Sequence, residues 1–170
     1  QEIAVKRFIV SQAIGLCLAG VPGIYFHSLF GSQNDTNGVT QTGRYRSINR
    51  EKNQLNALQA ELADNTSLRA QVFSQYHHLL SIRREQSAFH PAAQQTILTL
   101  NPAVFAVKRY NKQSGEHILA INNVTENAVT LQIDVKFDHW HDLVQSKDYA
   151  ANDKTIEIML EAYQVIWLKP

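Results

Sequence analysis

GVPGIYFHSLFGSQNDTNGVTQTGRYRSINR, residues 20–50, is the stretch on which the reading of this chain turns. Gly20 and the pair Pro22-Gly23 make a turn. Ile24-Tyr25-Phe26 is then a short continuous apolar run, the pattern of a strand buried on both faces of a parallel sheet. A polar segment follows, with Gly31, Gly38 and Gly43 set among Ser, Asn, Asp and Thr, and it reads as one long loop over 31–50. Loops of that length in a compact domain are functional or disordered. This one ends in three arginines, Arg44, Arg46 and Arg50. In α/β enzymes, the loop after a buried strand is where substrate contacts sit.

Upstream, residues 2–19 read as a helix. Ile3, Val5, Phe8, Ile9, Ile14, Leu16, Cys17 and Leu18 cover more than one face, so the helix expects cover on most sides. Helix, turn and strand form one αβ unit. A lone unit cannot close a sheet, so its partner strands are expected elsewhere. The chain opens with Gln, already in helical pattern and without a capping residue, as a piece of something longer would.

Downstream, residues 51–86 are helical. Leu55, Leu58 and Leu62 mark one stripe; Asp64-Asn65-Thr66-Ser67 interrupts it and offers caps for a second helix. That helix carries Leu68, Val72, Tyr76, Leu79, Leu80 and Arg83, and His90-Pro91 closes the region. From about residue 95 the period falls from 3.6 to 2. Strands are predicted at 96–100, 104–110, 117–122, 129–137, 142–144, 155–160 and 163–168, with turns at 111–115 and 122–127. The alternation of Leu131, Ile133, Val135 and Phe137 with Gln132, Asp134 and Lys136 is the clearest. This spacing indicates an antiparallel β-sandwich. The fold class is therefore α+β, with a helical first part over 1–90 and a β-domain over 91–170.

The 170 residues are 44% hydrophobic with a net charge of +1. A sizeable core is available, and nothing draws the chain to nucleic acid or a membrane. Lys6, Arg7, Ser11 and Gln12 interrupt the first helix too often for a membrane span. One cysteine, Cys17, cannot form an internal disulfide and reads as a small core residue. It fits a reducing, cytoplasmic setting.

Two places carry a family resemblance. VPGIY resembles the eighth strand of the catalytic (β/α)8 barrel in glycoside hydrolase family 13, the α-amylase family. Its continuation, FHSLFGSQND and then GRYRSINR, departs from the hydrolases. It is similar instead to the sucrose phosphorylase subfamily and its relatives acting on glucosylglycerate. HDLVQSK and LEAYQVIWLKP resemble the closing strands of the family's C-terminal β-sandwich. The resemblance implies that residues 1–90 are the helical remnant of the end of the barrel, with its last strand, active-site loop and closing helices. Family members are retaining enzymes that use two carboxylates and a stabilising aspartate. The resemblance places all three before residue 1, so no catalytic residue is expected here, and the fragment alone should be inactive. The whole enzyme would transfer glucose from sucrose or a related α-glucoside to phosphate. Alternatives are an α-glucosidase or transglucosidase of the same family, or a free-standing carbohydrate-binding β-sandwich.

Within that frame the substrate-side candidates are Arg46, Arg44, Asn34, Asp35 and Asn49. An arginine fork suits sugar hydroxyls and phosphate oxygens alike. The resemblance points to Arg46 for the acceptor subsite, with Arg44 as the alternative. Asn34-Asp35 reads equally as a substrate contact or as a loop-fixing pair. His27 and the aromatic residues Trp140, Trp167, Tyr110 and Tyr163 read as packing. His77-His78 point to different helix faces, and His139 and His141 lack a third ligand, so no metal is expected, and no cofactor. The implied partners are a sugar substrate and inorganic phosphate. The orphaned αβ unit should expose apolar surface and make the fragment self-associate.

Overall fold

The computed structural model describes residues 1–170. Five helices come first: α1 Glu2–Cys17, α2 Phe26–Leu29, α3 Thr36–Thr42, α4 Leu55–Ala63 and α5 Leu68–Glu85. Short 3-10 turns lie at Tyr45–Asn49 and Ser87–Phe89. Eight strands follow: β1 Gln94–Leu98, β2 Val104–Tyr110, β3 His117–Asn123, β4 Val129–Asp134, β5 His139–Asp142, β6 Lys147–Ala150, β7 Thr155–Leu160 and β8 Val165–Lys169. No helix is long and apolar enough to cross a membrane. The chain forms two compact units, one of Gln1 with Gly23–His77, the other of Glu2–Pro22 with His78–Pro170.

The second unit contains the predicted sandwich. Six strands run β1-β2-β3-β8-β5-β6, and β4 pairs with β7 in a separate two-stranded sheet. Every pairing is antiparallel. Side chains alternate across a strand, so each strand offers one face to the space between the sheets. Ala106, Leu119, Ile121, Leu131, Ile133, Trp140, Ile156, Ile158, Leu160, Ile166 and Leu168 fill it. The clear alternation predicted over 129–137 forms β4 only as far as Asp134, with Phe137 exposed beyond it; its register sets Leu131 opposite Ile158 and Ile133 opposite Ile156.

The other face of the large sheet is also covered. Val107, Ala120 and Trp167 lie in one cross-strand row and are fully buried. α1 packs on β2 and β3 there, through a single stripe of Val5, Ile9, Val10, Ala13, Leu16 and Cys17. The sequence suggested cover on most sides; Ile3 instead remains exposed, and Phe8, Ile14 and Leu18 are half-buried. Burial on both faces explains why β3 carries a near-continuous apolar run rather than an alternation.

Two buried charges hold parts of this unit together. Arg109, on β2, is fully buried. Its guanidinium donates to the carbonyl oxygens of Cys17 at 3.0 Å, His90 at 2.8 Å and Ala93 at 3.4 Å. Arg83, on α5, donates to the carbonyls of Leu16 and Gly20. The last carbonyls of a helix have no partner within it and carry partial negative charge, so two guanidinium groups at the end of α1 serve as its C-cap. Burial lowers the pKa of both arginines from the ordinary value.

Asp142 is the second. It ends β5 and is fully buried. Its Oδ1 accepts from the backbone N–H of Trp167 at 2.9 Å and of Val144 at 3.0 Å. Together with the Leu143 N–H, which donates to the Trp167 carbonyl at 2.9 Å, Asp142 staples β5 to β8. Burial raises the Asp142 pKa, against the lowering effect of the amides it accepts from. The sign follows by linkage. Between the unfolded value and the raised folded value, the native state holds the proton more tightly, so stability falls as pH rises through that window. We therefore expect the difference in urea midpoint between the chain and Asp142→Asn to change in the variant's favour as pH rises from about 3.8, levelling off above the folded pKa. A difference that does not vary with pH would disprove this.

The first unit departs from expectation in two places. Ile24-Tyr25-Phe26 is not a strand: residues 21–25 pair with nothing, and Phe26 starts α2. Ile24, Tyr25 and Phe26 are 38%, 46% and 52% exposed. A parallel strand exists only through ladder bonds to neighbours, and no other strand of the chain pairs with this one. The segment 31–50 is also not one irregular loop. It holds α3, capped by Asp35 at its start and by Gly43, at φ +64°, at its end, and then the 3-10 turn Tyr45–Asn49. Its helix is short and wholly polar apart from Val39, so no apolar stripe betrays it. The predicted break at 64–67 is present, and the Ser67 hydroxyl caps α5 by accepting from the Ala70 N–H at 3.0 Å.

The β-domain shows one strand more than the sequence suggested. Two-residue-period runs are absent from Lys147–Ala150, which forms β6 at the sheet edge, mostly exposed. The early part of 142–144 belongs to β5, which begins at His139.

Candidate functional site

The polar segment of the first unit builds a cleft of about 400 Å³. Gly31, Gln33, Asn34, Asp35, Thr36 and Asn37 line one side; Glu51, Glu61, Leu68 and Arg69 line the other. Asn34 and Asp35 are thus brought to a common cleft, as a substrate role requires. Arg44, Arg46 and Asn49 are not among its lining residues.

The charged groups of the cleft are committed to one another. Arg69 sits near the start of α5 with its side chain 12% exposed. Its Nε pairs with Glu61 at 2.7 Å, and one terminal nitrogen with Glu51 at 2.8 Å. The same nitrogen donates to Asn53 Oδ1 at 3.1 Å, and the other to Ser32 Oγ at 2.7 Å. Asp35 is equally occupied: its Oδ1 accepts from the Gly38 N–H at 2.7 Å. A Cβ at Gly38 would lie 2.1 Å from Asp35 Oδ2, so the cap needs glycine there. Of the two readings of Asn34-Asp35, the carboxylate has the loop-fixing geometry. Each carboxylate of the cleft has a partner: Asp35 takes the Gly38 amide, and Glu51 and Glu61 take the Arg69 fork.

The arginines of the segment are the reverse case. Arg44, Arg46 and Arg50 are exposed, and their guanidinium groups have no partner within the chain. Arg44 precedes the 3-10 turn and Arg46 lies in it. The backbone beneath them is fixed. The Asp35 N–H donates to the Ile48 carbonyl at 2.7 Å, and the Tyr25 hydroxyl donates to the Asn49 carbonyl at 2.6 Å. Asn49 thus contributes its main chain to the loop's own architecture. Free guanidinium forks on a backbone held by its own hydrogen bonds are an arrangement that can receive an anion.

His27 meets Ser32 Oγ at 3.2 Å and contacts the Tyr25 and Phe26 rings, which places it in packing. Trp140 is buried between the two sheets and Trp167 on the other face of the large sheet against Phe89, and Tyr110 stacks on His117 at 4.4 Å. His141 pairs with Asp148 across the β5–β6 hairpin, and His139 joins no cluster.

Arg69 was not singled out from sequence. The signal was present only as an arginine one turn into a capped helix, with acidic residues at positions 51 and 61; that they converge is a tertiary fact.

No family model matches the chain. The protein called glucosylglycerate phosphorylase of Spirochaeta thermophila is 35% identical over 178 residues, covering 97% of this chain. That of Escherichia coli is 36% identical over 163 residues, covering 96%. Over nearly its whole length the chain is thus similar to proteins called glucosylglycerate phosphorylase. It spans 30% and 28% of the lengths of these two relatives. The fold agrees. A variant of AmyP crystallised with maltotriose aligns with a TM-score of 0.80 at 14% identity, over 97% of this chain and 34% of that one. The α-amylase of Geobacillus thermoleovorans, complexed with acarbose, aligns with a TM-score of 0.75 at 11% identity, over 97% and 33%. The α+β class, with a helical part and an antiparallel β-domain of the α-amylase kind, is therefore established.

Proposed function

We propose that the chain is the C-terminal part of a retaining α-glucoside phosphorylase. Its substrate would be glucosylglycerate rather than sucrose, and inorganic phosphate would be the acceptor. The observation that carries this is 35% identity along 97% of the chain to a glucosylglycerate phosphorylase. In the reaction the glucosidic bond to glycerate breaks, glycerate leaves with a proton, and a phosphate oxygen takes the glucosyl carbon to give glucose 1-phosphate. The catalytic carboxylates would lie outside these residues, which is consistent with a cleft whose acids are all engaged. The role of this part would then be to hold an acceptor-side loop. Free guanidinium groups at Arg44 and Arg46 suit both the glycerate carboxylate and phosphate, two anions that use the acceptor space in turn.

The test is product analysis on the longer protein that contains this sequence, with glucosylglycerate and with sucrose, with and without phosphate. Glucose 1-phosphate from glucosylglycerate is expected. Free glucose alone, in the presence of phosphate, would replace this reading with an α-glucosidase. The 170-residue chain itself should yield no product. Its exposed Ile24, Tyr25 and Phe26 support self-association, so light scattering should give a mass above the monomer; a monomer at every concentration would end that part.

A further inference from the structure

We propose that Arg69 is the positioning residue of the arginine-bearing loop, a single guanidinium that fastens both ends of 33–50. The consequence for substrate rests on the phosphorylase reading above; the clamp itself does not.

The loop is already stiff inside. Asp35 caps α3, Gly43 closes it, and the Asp35 N–H to Ile48 carbonyl bond ties the start of α3 to the 3-10 turn. The Thr42 hydroxyl lies 3.0 Å from that of Ser47. A segment cross-linked in this way moves as one piece, so its anchors decide where its arginines point. Arg69 supplies an anchor at each end. One arm of the fork donates to Ser32 Oγ, just before the loop, and the other to Glu51 and Asn53, just after it. The Nε bond to Glu61 on α4 holds the fork in register. A planar fork places its donors on three separate nitrogens and so reaches both sides at once, whereas an ammonium gathers its three donors on a single atom. Exposed ion pairs contribute little, but this side chain is 12% exposed and every donor group on it is used. A geometry shift of about 1 Å in a loop that holds the acceptor is enough to change kcat/KM for that acceptor by up to about a hundredfold.

Two measurements test this. The first needs no enzymatic activity: limited trypsin digestion of the chain and of Arg69→Met. Trypsin cuts after Arg44, Arg46 and Arg50. Cleavage there should accelerate by about tenfold in the variant, while cleavage at the exposed Arg7, Lys112 and Lys147 of the other unit stays unchanged. An unchanged loop, or equal acceleration at every site, overturns the clamp. The second uses the full-length enzyme. Arg69→Met should raise KM for phosphate by roughly ten- to a hundredfold, with kcat per titrated active site little altered. Arg69→Lys should stay impaired, and guanidinium ion should restore KM in Arg69→Gly. A fall in kcat alone, with KM unchanged, assigns Arg69 a merely structural role and overturns the positioning inference. A wild-type enzyme that never forms glucose 1-phosphate sinks the phosphorylase reading instead, and the digestion result still decides the clamp.

Discussion

Replacing Arg109 with alanine should remove about 3–5 kcal/mol of folding stability. The side chain is fully buried and has no carboxylate partner; its charge is spread over three backbone carbonyls, those of Cys17, His90 and Ala93. One of these closes α1, and the other two belong to the turn leading into β1. Truncation strands these acceptors, the buried Cys17 carbonyl at a cost of about 1–3 kcal/mol and the part-buried His90 and Ala93 carbonyls at less, and leaves a cavity between α1 and the sheet. Relief from burying a guanidinium offsets part of the sum. A typical domain holds only about 5–15 kcal/mol, so the variant should unfold at a much lower urea concentration with its slope little changed. Arg109→Met separates the causes, since it restores volume without donors. If methionine is as stable as arginine, the carbonyl bonds are not the reason for the charge. A loss under about 1 kcal/mol for alanine would refute the account.

The second large effect concerns catalysis. In the full-length enzyme, Arg46→Ala should raise KM for phosphate by about a hundredfold, the equivalent of about 2.8 kcal/mol for one charge-assisted, bidentate contact. Hydrolysis by water, which needs no anion, should continue at its usual rate. Arg46→Lys should recover part of the affinity, because charge survives but the fork does not. Arg44 has the same exposure and the same lack of partners. If Arg44→Ala shows the large change and Arg46→Ala does not, the contact belongs to Arg44. If neither changes KM, the loop arginines are solvated and the acceptor is held by other residues.

Much of the β-domain was legible because it is built from local alternation. Leu131 and Ile133 face inward at the positions their period predicts, and 104–110 and 155–160 were located to the residue. The polar, exposed β6 was invisible because an edge strand buries little. The segment 31–50 was recognised as important but misread as irregular. The sequence DTNGVTQTG does contain a cap at Asp35 and a stop at Gly43; without an apolar stripe between them they look like turn residues. In the candidate site, Asn34 and Asp35 could be named from sequence, whereas Arg69 could not. Its four partners come from positions 32, 51, 53 and 61, and no local pattern brings them together.

Sequence alone thus determined the helix break at 64–67, the β-sandwich and the resemblance to glucosylglycerate phosphorylases, each of which is written in neighbouring residues or in motifs that survive at 35% identity. Tertiary structure alone decided which charges are free and which are spent. Arg44 and Arg46 look no different in sequence from Arg69 and Arg109. The first two meet solvent, while the others are closed on carboxylates and carbonyls from distant segments. It also decided that Ile24-Tyr25-Phe26 forms no strand. Periodicity reports the face a residue prefers, but a ladder or an ion pair exists only when a second segment arrives to complete it.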